Sequence, residues 1–294
     1  MRVAITSIRE GHQGAIYDLC KVGDKVATTG GDNRIILWDI ANPNDGAVIA
    51  QTLSTCYAIA YHDPYLYLGE RGGRLHCLSI HDKIPIHNNH LHLGDIFEIN
   101  VFNDKVIALS ADGSFSVWSP DLKILIYHQN ISTKSLRKVI YNTFNREFVI
   151  ASSDGKLYIL DNENYQIKMK VEAHKDSVFS LASLSNDAIM SGGKDAQLIV
   201  WDASAYKPLR AIPAHLQTIN DIALHPNANI VATAGRDKCV KLWSYPDMAL
   251  LKVLDAKFPN AHHHSVNTLM WLDATHLLTA GDDKRIIEWN IGDY

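Results

Sequence analysis

The sequence of 294 residues lacks the features that mark several large classes of protein. Its four cysteines stand singly with no CxxC pair, which fits neither a zinc site nor a disulfide-dense secreted scaffold. No stretch approaches about 18 consecutive apolar residues, and the amino terminus has no apolar core of signal-peptide length. We therefore expect a soluble protein without membrane contact, in the cytoplasm or, in a eukaryote, the nucleus.

The chain has no excess of positive charge either. Lys and Arg total 28 against 32 Asp and Glu, which gives a formal net charge of -4. Such a chain generates no global basic field that would hold a nucleic-acid backbone. This balance disfavours nucleic acid as a partner and favours protein or peptide partners.

Catalytic motifs are also missing. The sequence contains no GxSxG nucleophile elbow, no GxxxxGK[ST] phosphate loop and no HExxH motif. Two histidine clusters, at 87–92 and 261–265, lack a clear metal-ligand spacing. We expect no enzymatic activity, no cofactor and no metal site.

What the chain does contain is an internal repeat. Five tryptophans are each followed by a polar residue, and their successive gaps are 80, 83, 42 and 46 residues: Trp38, Trp118, Trp201, Trp243 and Trp289. Because the first two gaps are about twice the others, each should hide a degenerate repeat. Aligned segments place Leu78 and Leu160 in the missing tryptophan positions. The sequence therefore predicts seven repeats.

Each repeat reads as four short strands. In the first repeat, runs rich in β-branched residues cover 16–22, 25–30, 34–40 and 47–52, separated by turn residues. A recurring four-stranded sheet cannot bury both faces alone, so neighbouring sheets must stack around an axis. We predict an all-β, seven-bladed β-propeller with four-stranded antiparallel blades, formed by residues 1–294 as a single domain.

The two ends of the chain predict how this ring closes. Only NIGDY follows Trp289, so the last blade lacks a fourth strand, whereas the segment 2–7 precedes the first repeat. The amino-terminal strand should complete the last blade, which removes two exposed sheet edges.

These repeats resemble the WD40 family, whose repeats run from a Gly-His pair to a Trp-Asp pair over about 40 to 45 residues. The resemblance implies a buried hydrogen-bonded tetrad of histidine, hydroxyl, aspartate and tryptophan. Four repeats contain all its members: His12, Thr28, Asp32, Trp38; His174, Ser191, Asp195, Trp201; His215, Thr233, Asp237, Trp243; and His262, Thr279, Asp283, Trp289. We interpret these groups as structural and not as a Ser-His-Asp catalytic triad, because they recur in equivalent blades beside a tryptophan.

The other three repeats depart from this pattern. The third has Ala108 where the hydroxyl belongs, so we expect its network to be incomplete. The second keeps none of the four residues, and the fourth keeps only Asp154. The strand patterns of both repeats survive, so we expect blades two and four to form.

The resemblance also implies which residues surround the mouth of the central channel. Five residues after the repeat histidine, blades one to five carry aromatic or arginine side chains: Tyr17, Tyr57, Phe97, Arg137 and Phe179. One residue before the turn aspartate, three blades carry cations: Arg71, Lys194 and Arg236. Aromatic residues and arginine dominate binding hot spots, and arginine suits carboxylate or phosphate.

The expected function is a non-enzymatic scaffold within a multiprotein assembly, which docks a peptide or protein at this mouth. An acidic or phosphorylated partner is the preferred occupant. Three alternatives stay open: an enzyme or small-ligand binder using the channel, nucleic-acid binding through the basic mouth, and aromatic side chains that only pack between blades.

Overall fold

In the computed structural model, the described residues form twenty-eight strands arranged in seven four-stranded antiparallel sheets. The structure describes residues 1–82, 84–185 and 187–292. The chain begins with β1 (Arg2–Glu10) and then forms the sheets in sequence order.

The first three blades are each built from four consecutive strands. Blade one contains β2 (Ile16–Val22), β3 (Lys25–Gly30), β4 (Arg34–Asp39) and β5 (Gly46–Gln51). Blade two contains β6 (Cys56–His62), β7 (Tyr65–Glu70), β8 (Arg74–Ser79) and β9 (Ile84–His90). Blade three contains β10 (Ile96–Phe102), β11 (Lys105–Ser110), β12 (Ser114–Trp118) and β13 (Leu125–Asn130).

Blades four to six follow the same order, and blade seven recruits β1. Blade four contains β14 (Leu136–Asn142), β15 (Glu147–Ser152), β16 (Lys156–Asp161) and β17 (Ile167–Glu172). Blade five contains β18 (Val178–Ser185), β19 (Ala188–Gly193), β20 (Gln197–Asp202) and β21 (Pro208–Pro213). Blade six contains β22 (Ile219–Leu224), β23 (Ile230–Gly235), β24 (Val240–Ser244) and β25 (Leu250–Leu254). Blade seven contains β26 (Val266–Trp271), β27 (His276–Gly281), β28 (Arg285–Gly292) and β1.

The blades form a closed ring around an axis. The first strand of each blade contacts the first strands of both neighbouring blades, from β2 through β26 and back to β2. These seven strands therefore surround the central channel. The predicted seven-bladed propeller is confirmed, and blades two and four form all four of their strands despite their degenerate repeats.

The ring closes within blade seven. Strand β1 pairs antiparallel with β28, from Arg2 opposite Gly292 to Glu10 opposite Arg285. The predicted closure by the amino-terminal strand is therefore confirmed. Arg9 is 1% exposed and donates from Nη1 to Glu288 Oε2 at 2.9 Å, so a buried ion pair joins the closing strands.

Apolar side chains fill the space between adjacent blades. Trp38 lies against Leu278 and Ile286 of the preceding blade. Each of the five repeat tryptophans is at most 5% exposed and packs on the preceding blade in the same way. Full burial of a large apolar side chain contributes about 1.5 to 3 kcal/mol, so these contacts hold the blades in register.

Candidate functional site

Every innermost strand carries a β-bulge near its start. Ile16 pairs with Gly30 across the β2–β3 ladder. The next pair is Asp18 with Thr29, which leaves Tyr17 without a cross-strand partner. The same shift occurs at the corresponding residue of every other blade: Tyr57, Phe97, Arg137, Phe179, Asn220 and Asn267. A bulge changes the direction of side chains, and both Tyr17 and Asp18 face the channel.

All seven of these bulge residues line one cavity of about 270 Å³ in the central channel. Tyr17 and Tyr57 have ring centroids 4.9 Å apart, and Tyr57 and Phe97 have centroids 5.5 Å apart. The rings are tilted, which is a favourable aromatic geometry. We call the run of Tyr17, Tyr57, Phe97, Arg137 and Phe179 the aromatic arc.

Arg137 lies within this arc, between two of its aromatic rings. Its guanidinium carbon lies 4.2 Å from the ring centroid of Phe97 and 4.6 Å from that of Phe179. Its Nε donates to Ser153 Oγ at 2.8 Å. Burial lowers the pKa of Arg137 to about 10, against the opposing charge of Asp95. The cation is therefore held between two aromatic faces.

The three remaining predicted cations differ in their availability. Arg71 and Arg236 are exposed. Lys194 is exposed as well, but its Nζ forms an ion pair with Asp176 at 3.1 Å. Among the described mouth residues, Arg71 and Arg236 are thus the cations that the structure leaves most open to solvent.

A second layer of channel residues was missed by the sequence reasoning. Asp18, Glu98, Lys138 and Asp221 each follow a bulge residue directly and line the same cavity. Lys138 Nζ lies 3.2 Å from Glu98 Oε2. Burial favours a neutral Lys138, but the charges of Glu98, Asp221 and Asp18 outweigh it and raise the lysine pKa. We call these four residues the charged layer.

The two aspartates of the charged layer also join neighbouring blades. Asp18 Oδ2 accepts the backbone N–H of Ile59 in blade two at 2.9 Å. Asp221 Oδ2 accepts the backbone N–H of Leu269 in blade seven at 3.1 Å. Burial raises the pKa of Asp18 to about 6. With three acids and one lysine, this layer is acidic, whereas the exposed rim above it carries cations.

The predicted tetrads lie farther from the axis, and the structure brings together the four members of each. In blade one, His12 Nε2 lies 2.8 Å from Thr28 Oγ1, and His12 Nδ1 lies 3.0 Å from Asp32. Trp38 Nε1 donates to the same hydroxyl at 2.8 Å. Blades five, six and seven repeat this arrangement with corresponding distances between 2.8 and 3.0 Å.

The expectation that the blade-three network is incomplete is wrong. Ser116 lies opposite Ala108 and accepts the indole N–H of Trp118 at 2.7 Å. Its Oγ also lies 2.7 Å from His92 Nε2. Ser114 connects His92 to Asp112, with distances of 2.7 and 2.6 Å. The hydroxyl has moved to the third strand, and the network is complete.

Blade four also contains a polar network in which two hydroxyl groups contact Asp154. Asp154 Oδ2 accepts the hydroxyl of Tyr158 at 2.6 Å and that of Ser132, which occupies the histidine position, at 3.2 Å. In blade two, Glu70 supplies the carboxylate. It accepts the backbone N–H of Leu53 at 3.0 Å and lies 3.3 Å from His76 Nε2. In blade four these substitute polar groups satisfy one another, whereas His76 Nε2 in blade two has no hydrogen-bond partner within the part of the chain that the structure describes.

The residue two positions before the turn aspartate distinguishes the two kinds of blade. It is glycine in the four blades with the standard tetrad, and Glu70, Ser110 or Ser152 in the others. A Cβ at Gly193 would collide with His174 Nδ1, and a Cβ at Gly235 would collide with His215 Nδ1. A side chain at this position therefore excludes the direct histidine-aspartate contact.

Comparison with known proteins agrees with this repeat structure. The family model described as "WD domain, G-beta repeat" matches residues 4–39, 165–202 and 206–244. The fold superposes on the crystal structure of the WD40 beta propeller domain of Doa1 with a TM-score of 0.88. That match covers 99% of this chain and 98% of the other at 19% identity, so it concerns the fold alone. Three segments of the chain therefore match WD40 repeats, and they lie within a seven-bladed propeller fold.

Several curated WD40 relatives share shorter segments with the chain. Pre-mRNA-processing factor 19 from Bos taurus is 27% identical over 126 residues, covering 40% of this chain and 24% of that protein. WD repeat-containing protein 55 from Mus musculus is 28% identical over 112 residues, or 38% of this chain and 29% of the relative. Protein hir1 from Schizosaccharomyces pombe is 21% identical over 206 residues, or 58% and 22%. The chain thus spans less than a third of the length of each of these three relatives.

In the four tetrads that follow the repeat pattern, the hydroxyl groups are buried. Their hydroxyl-bearing residues Thr28, Ser191, Thr233 and Thr279 are all 0% exposed. Because each hydroxyl is occupied by an indole N–H and lies away from solvent, a substrate has no access to it. WD40 propellers are generally interaction scaffolds, and this feature agrees with that role.

Neither a membrane-spanning helix nor a cluster of metal-ligating side chains is found in the part of the chain that the structure describes. The described ranges contain no helix with the length and hydrophobicity needed to cross a bilayer. Within residues 1–82, 84–185 and 187–292, no three His, Cys, Asp or Glu side chains converge as metal ligands would. In the two histidine clusters, His90 Nε2 contacts Gly72 O at 2.7 Å, and His263 Nδ1 contacts Arg285 Nη2 at 2.9 Å.

Proposed function

We propose that the protein is a non-enzymatic interaction scaffold that docks a peptide or protein partner at the channel mouth. The observation that carries this proposal is the aromatic arc, in which five aromatic or arginine side chains from consecutive blades line one open cavity. Aromatic and arginine anchors that are already held in place lose little conformational entropy on binding. One relative of this chain is named Pre-mRNA-processing factor 19, and this likeness supports a role in a multiprotein assembly.

The partner's preferred chemistry follows from the two layers of the mouth. Arg71 and Arg236 are exposed and suit carboxylate or phosphate groups at the rim. Asp18 and Asp221 lie deeper, where a carboxylate would repel an anion. We propose an acidic or phosphorylated partner whose charged groups stay at the rim while an uncharged side chain rests on the aromatic arc.

Affinity recovery from the native cell, followed by quantitative mass spectrometry, tests this proposal. Reversing the rim charges with Arg71→Glu and Arg236→Glu, or removing one ring with Tyr57→Ala, should deplete the same partners at least tenfold. Lys257→Glu and Phe144→Ala serve as matched controls, because both residues are exposed and absent from the cavity lining. Unchanged recovery with the mouth variants would refute docking at the mouth.

Stability measurements separate binding from packing. Surface substitutions usually change stability by about 0.5 kcal/mol or less, so the rim variants should melt like the wild type. If Tyr57→Ala instead lost several kcal/mol and recovered every partner, the arc would serve only to pack neighbouring blades.

The main alternative is a small-ligand binder or enzyme that uses the channel. The charged layer at the base of a cavity of about 270 Å³ favours it, because convergent charged groups in a concave site are typical of ligand pockets. A metabolite or hydrolytic activity lost in Glu98→Gln, with unchanged protein partners, would establish this alternative. Salt-sensitive retention on heparin would instead indicate nucleic-acid binding.

A cytoplasmic location stays a prediction, which imaging of the tagged protein would test.

A further inference from the structure

Arg137 is held between two aromatic rings, which leaves only the edge of its guanidinium group open to a ligand. The guanidinium carbon lies 4.2 Å from the ring centroid of Phe97 and 4.6 Å from that of Phe179. Its Nε donates to Ser153 Oγ at 2.8 Å, so one side of the edge is occupied. The rest of the edge carries Nη1 and Nη2, which together can hold a carboxylate through two parallel hydrogen bonds.

The described part of the chain provides no acceptor for these two nitrogens. Neither Nη1 nor Nη2 has a hydrogen bond to a described residue, and neither atom is enclosed as a buried unpaired group. Asp95 contributes a negative charge near Arg137, but its Oδ1 accepts the backbone N–H of Gly72 at 2.9 Å. Arg137 is half-buried and lines the channel cavity. Its remaining N–H groups are therefore open to that cavity.

The charges around Arg137 suit an anion with one negative charge. Lys138 follows Arg137 in β14, and its Nζ lies 3.2 Å from Glu98 Oε2. Lys194 in the next blade pairs with Asp176 at 3.1 Å. Because both lysines already have acidic partners, the guanidinium would receive a ligand with little help from them. A carboxylate carries a single charge, whereas a phosphate monoester carries about 1.5 to 2 and suits a cluster of arginines.

The rings beside Arg137 favour a ligand with an apolar group close to its carboxylate. Tyr57 lies next to Phe97 along the aromatic arc, with ring centroids 5.5 Å apart. The cavity of about 270 Å³ lies near the lower end of the range for small-ligand pockets, which begins at roughly 300 Å³, so it suits a single residue. In the last residue of a chain, the carboxylate and the side chain leave the same carbon atom. One C-terminal residue can therefore reach both the guanidinium and the rings.

Asn220 offers an acceptor for the backbone of the same residue. Its Nδ2 donates to Ser265 Oγ at 3.0 Å and to Val266 O at 2.7 Å. Both N–H groups of the amide are thus used, and among the described contacts Oδ1 is left for a donor in the cavity that Asn220 lines. A C-terminal residue brings one backbone N–H next to its carboxylate. The carboxylate at the tip of an acidic side chain brings neither this donor nor an adjoining apolar group.

We propose that the carboxyl terminus of a partner protein binds at Arg137, with its carboxylate on the guanidinium edge and an apolar last side chain on the ring of Tyr57. This inference rests on the proposed docking at the channel mouth and specifies the group that enters it. Ser153, which holds Arg137 Nε, directly precedes the turn aspartate Asp154 and thus has the rim position of blade four. The bound carboxylate therefore stays at the rim, above the charged layer.

N-acetylphenylalanine is the first probe, because it has the free carboxylate, the aromatic side chain and the amide of a chain terminus. Titration into the folded protein should give saturable NMR shifts at the backbone amides of Arg137 and Phe97, and none at that of Phe144, which is exposed outside the cavity. N-acetylphenylalanine amide, which lacks the carboxylate, should bind at least about tenfold more weakly. Absence of a saturable shift at Arg137, or equal affinity for the acid and the amide, would overturn the proposal.

Two further probes test the source and the charge of the anion. N-acetylglutamate α-methylamide presents a side-chain carboxylate without an adjoining ring, and phenyl phosphate presents a phosphate monoester. Both should bind more weakly than N-acetylphenylalanine. Equal affinity for the glutamate probe would refute recognition of a chain terminus, and tighter binding of phenyl phosphate would refute a carboxylate site.

Substitutions in the protein provide the second test. Arg137→Lys keeps the positive charge but loses the two-pronged edge, so it should weaken binding of N-acetylphenylalanine about tenfold and change that of the amide probe little. Arg146→Lys, at an exposed turn of the same blade, is the matched control and should change neither. Ser153→Ala removes only the partner of Nε, and it provides the same test if Arg137→Lys does not fold. Undiminished binding of the acid in folded variants would refute the site.

The same variants separate this site from docking at the mouth. Native partners that are lost with Tyr57→Ala but fully retained with Arg137→Lys would refute the carboxylate site and leave docking at the mouth intact. Partners retained with both variants would refute docking at the mouth as well.

Discussion

Ser116 lies directly across the β11–β12 pair from Ala108, and it supplies the hydroxyl that Ala108 lacks. The two side chains share one face of the sheet, as opposed residues of an antiparallel pair do. A hydroxyl on either strand can therefore reach the same indole. Blade three keeps a complete buried network although its sequence departs from the repeat pattern.

Replacing this hydroxyl should destabilise the protein. Ser116→Ala leaves the Trp118 indole N–H and the His92 ring nitrogen without their partner, at a cost of roughly 2 to 4 kcal/mol in the free energy of unfolding. Urea unfolding measures the loss. Adding Ala108→Ser to this variant should recover most of it, and a Ser116→Ala protein within about 0.5 kcal/mol of wild type would contradict the network.

Two glycines in corresponding turns should differ in their response to an added methyl group. A Cβ at Gly235 would collide with His215 Nδ1 and Asp237 Oδ1, so Gly235→Ala should cost about 2 kcal/mol or more. Gly31 provides the control, because the nearest atoms to a Cβ there lie at 3.7 Å. Calorimetry should find Gly31→Ala near wild type, whereas equal melting temperatures for the two variants would argue against the steric explanation.

The ring closure should depend on the buried pair between Arg9 and Glu288. Arg9→Ala leaves Glu288 without its ionic partner and should cost about 3 kcal/mol, because breaking a buried ion pair leaves an uncompensated charge. Replacing both residues by methionine should restore much of the stability. Hydrogen exchange at Ile287, which lies in β28, reports the detachment of β1 directly.

Deleting residues 1–8 gives the more drastic form of this test. It removes most of β1 and exposes the edge of β28, so the melting temperature should fall sharply. An unchanged melting temperature would refute the contribution of the closing strand.

Acid should weaken blade seven through Asp283. Burial alone would raise the pKa of Asp283, but the hydrogen bond and charge of His262, together with Arg285, lower it from 3.8 to about 2. The unfolded state thus binds more protons between about pH 4 and 2, so stability is lost as the pH falls through that range. After allowance for solvent screening, the shift corresponds to about 1 to 2 kcal/mol.

A pH series of unfolding free energies checks this prediction. Asp283→Asn should reduce the slope between pH 4 and 2, whereas Asp247→Asn, at an exposed position, should keep it. Identical slopes in wild type and Asp283→Asn would place the acid sensitivity elsewhere.

The fold and the outer part of the site could be predicted from the sequence, whereas the charged layer could not. Tryptophan spacing identifies the blades, and counting from the repeat histidine finds Tyr17, Tyr57 and Phe97. Strand alternation would turn Asp18 away from the side that Tyr17 faces. The bulge breaks this alternation, and the residue types at the bulge do not indicate its presence.

The substitutions in the degenerate blades escaped prediction for a different reason. Motif comparison asks which residue occupies a position, whereas the buried indole of Trp118 requires only a hydroxyl within reach. Ser116, Tyr158 and Glu70 meet such requirements from positions that the motif does not include. Whether a buried polar group has a hydrogen-bond partner depends on contacts in three dimensions. It can therefore be judged only when the cross-strand pairs are known.

The pairing of β1 with β28 also fixes the order in which the ring can be completed. Domains form progressively as a chain is synthesised from its amino terminus. Strands β2 to β27 separate β1 from its partner β28 along the chain, so the hydrogen-bonding edge of β1 stays open until the residues of β28 exist. Strand β1 therefore stays unpaired while the strands between it and β28 are made, and its hydrogen bonds to β28 are those that turn an open array of blades into a ring.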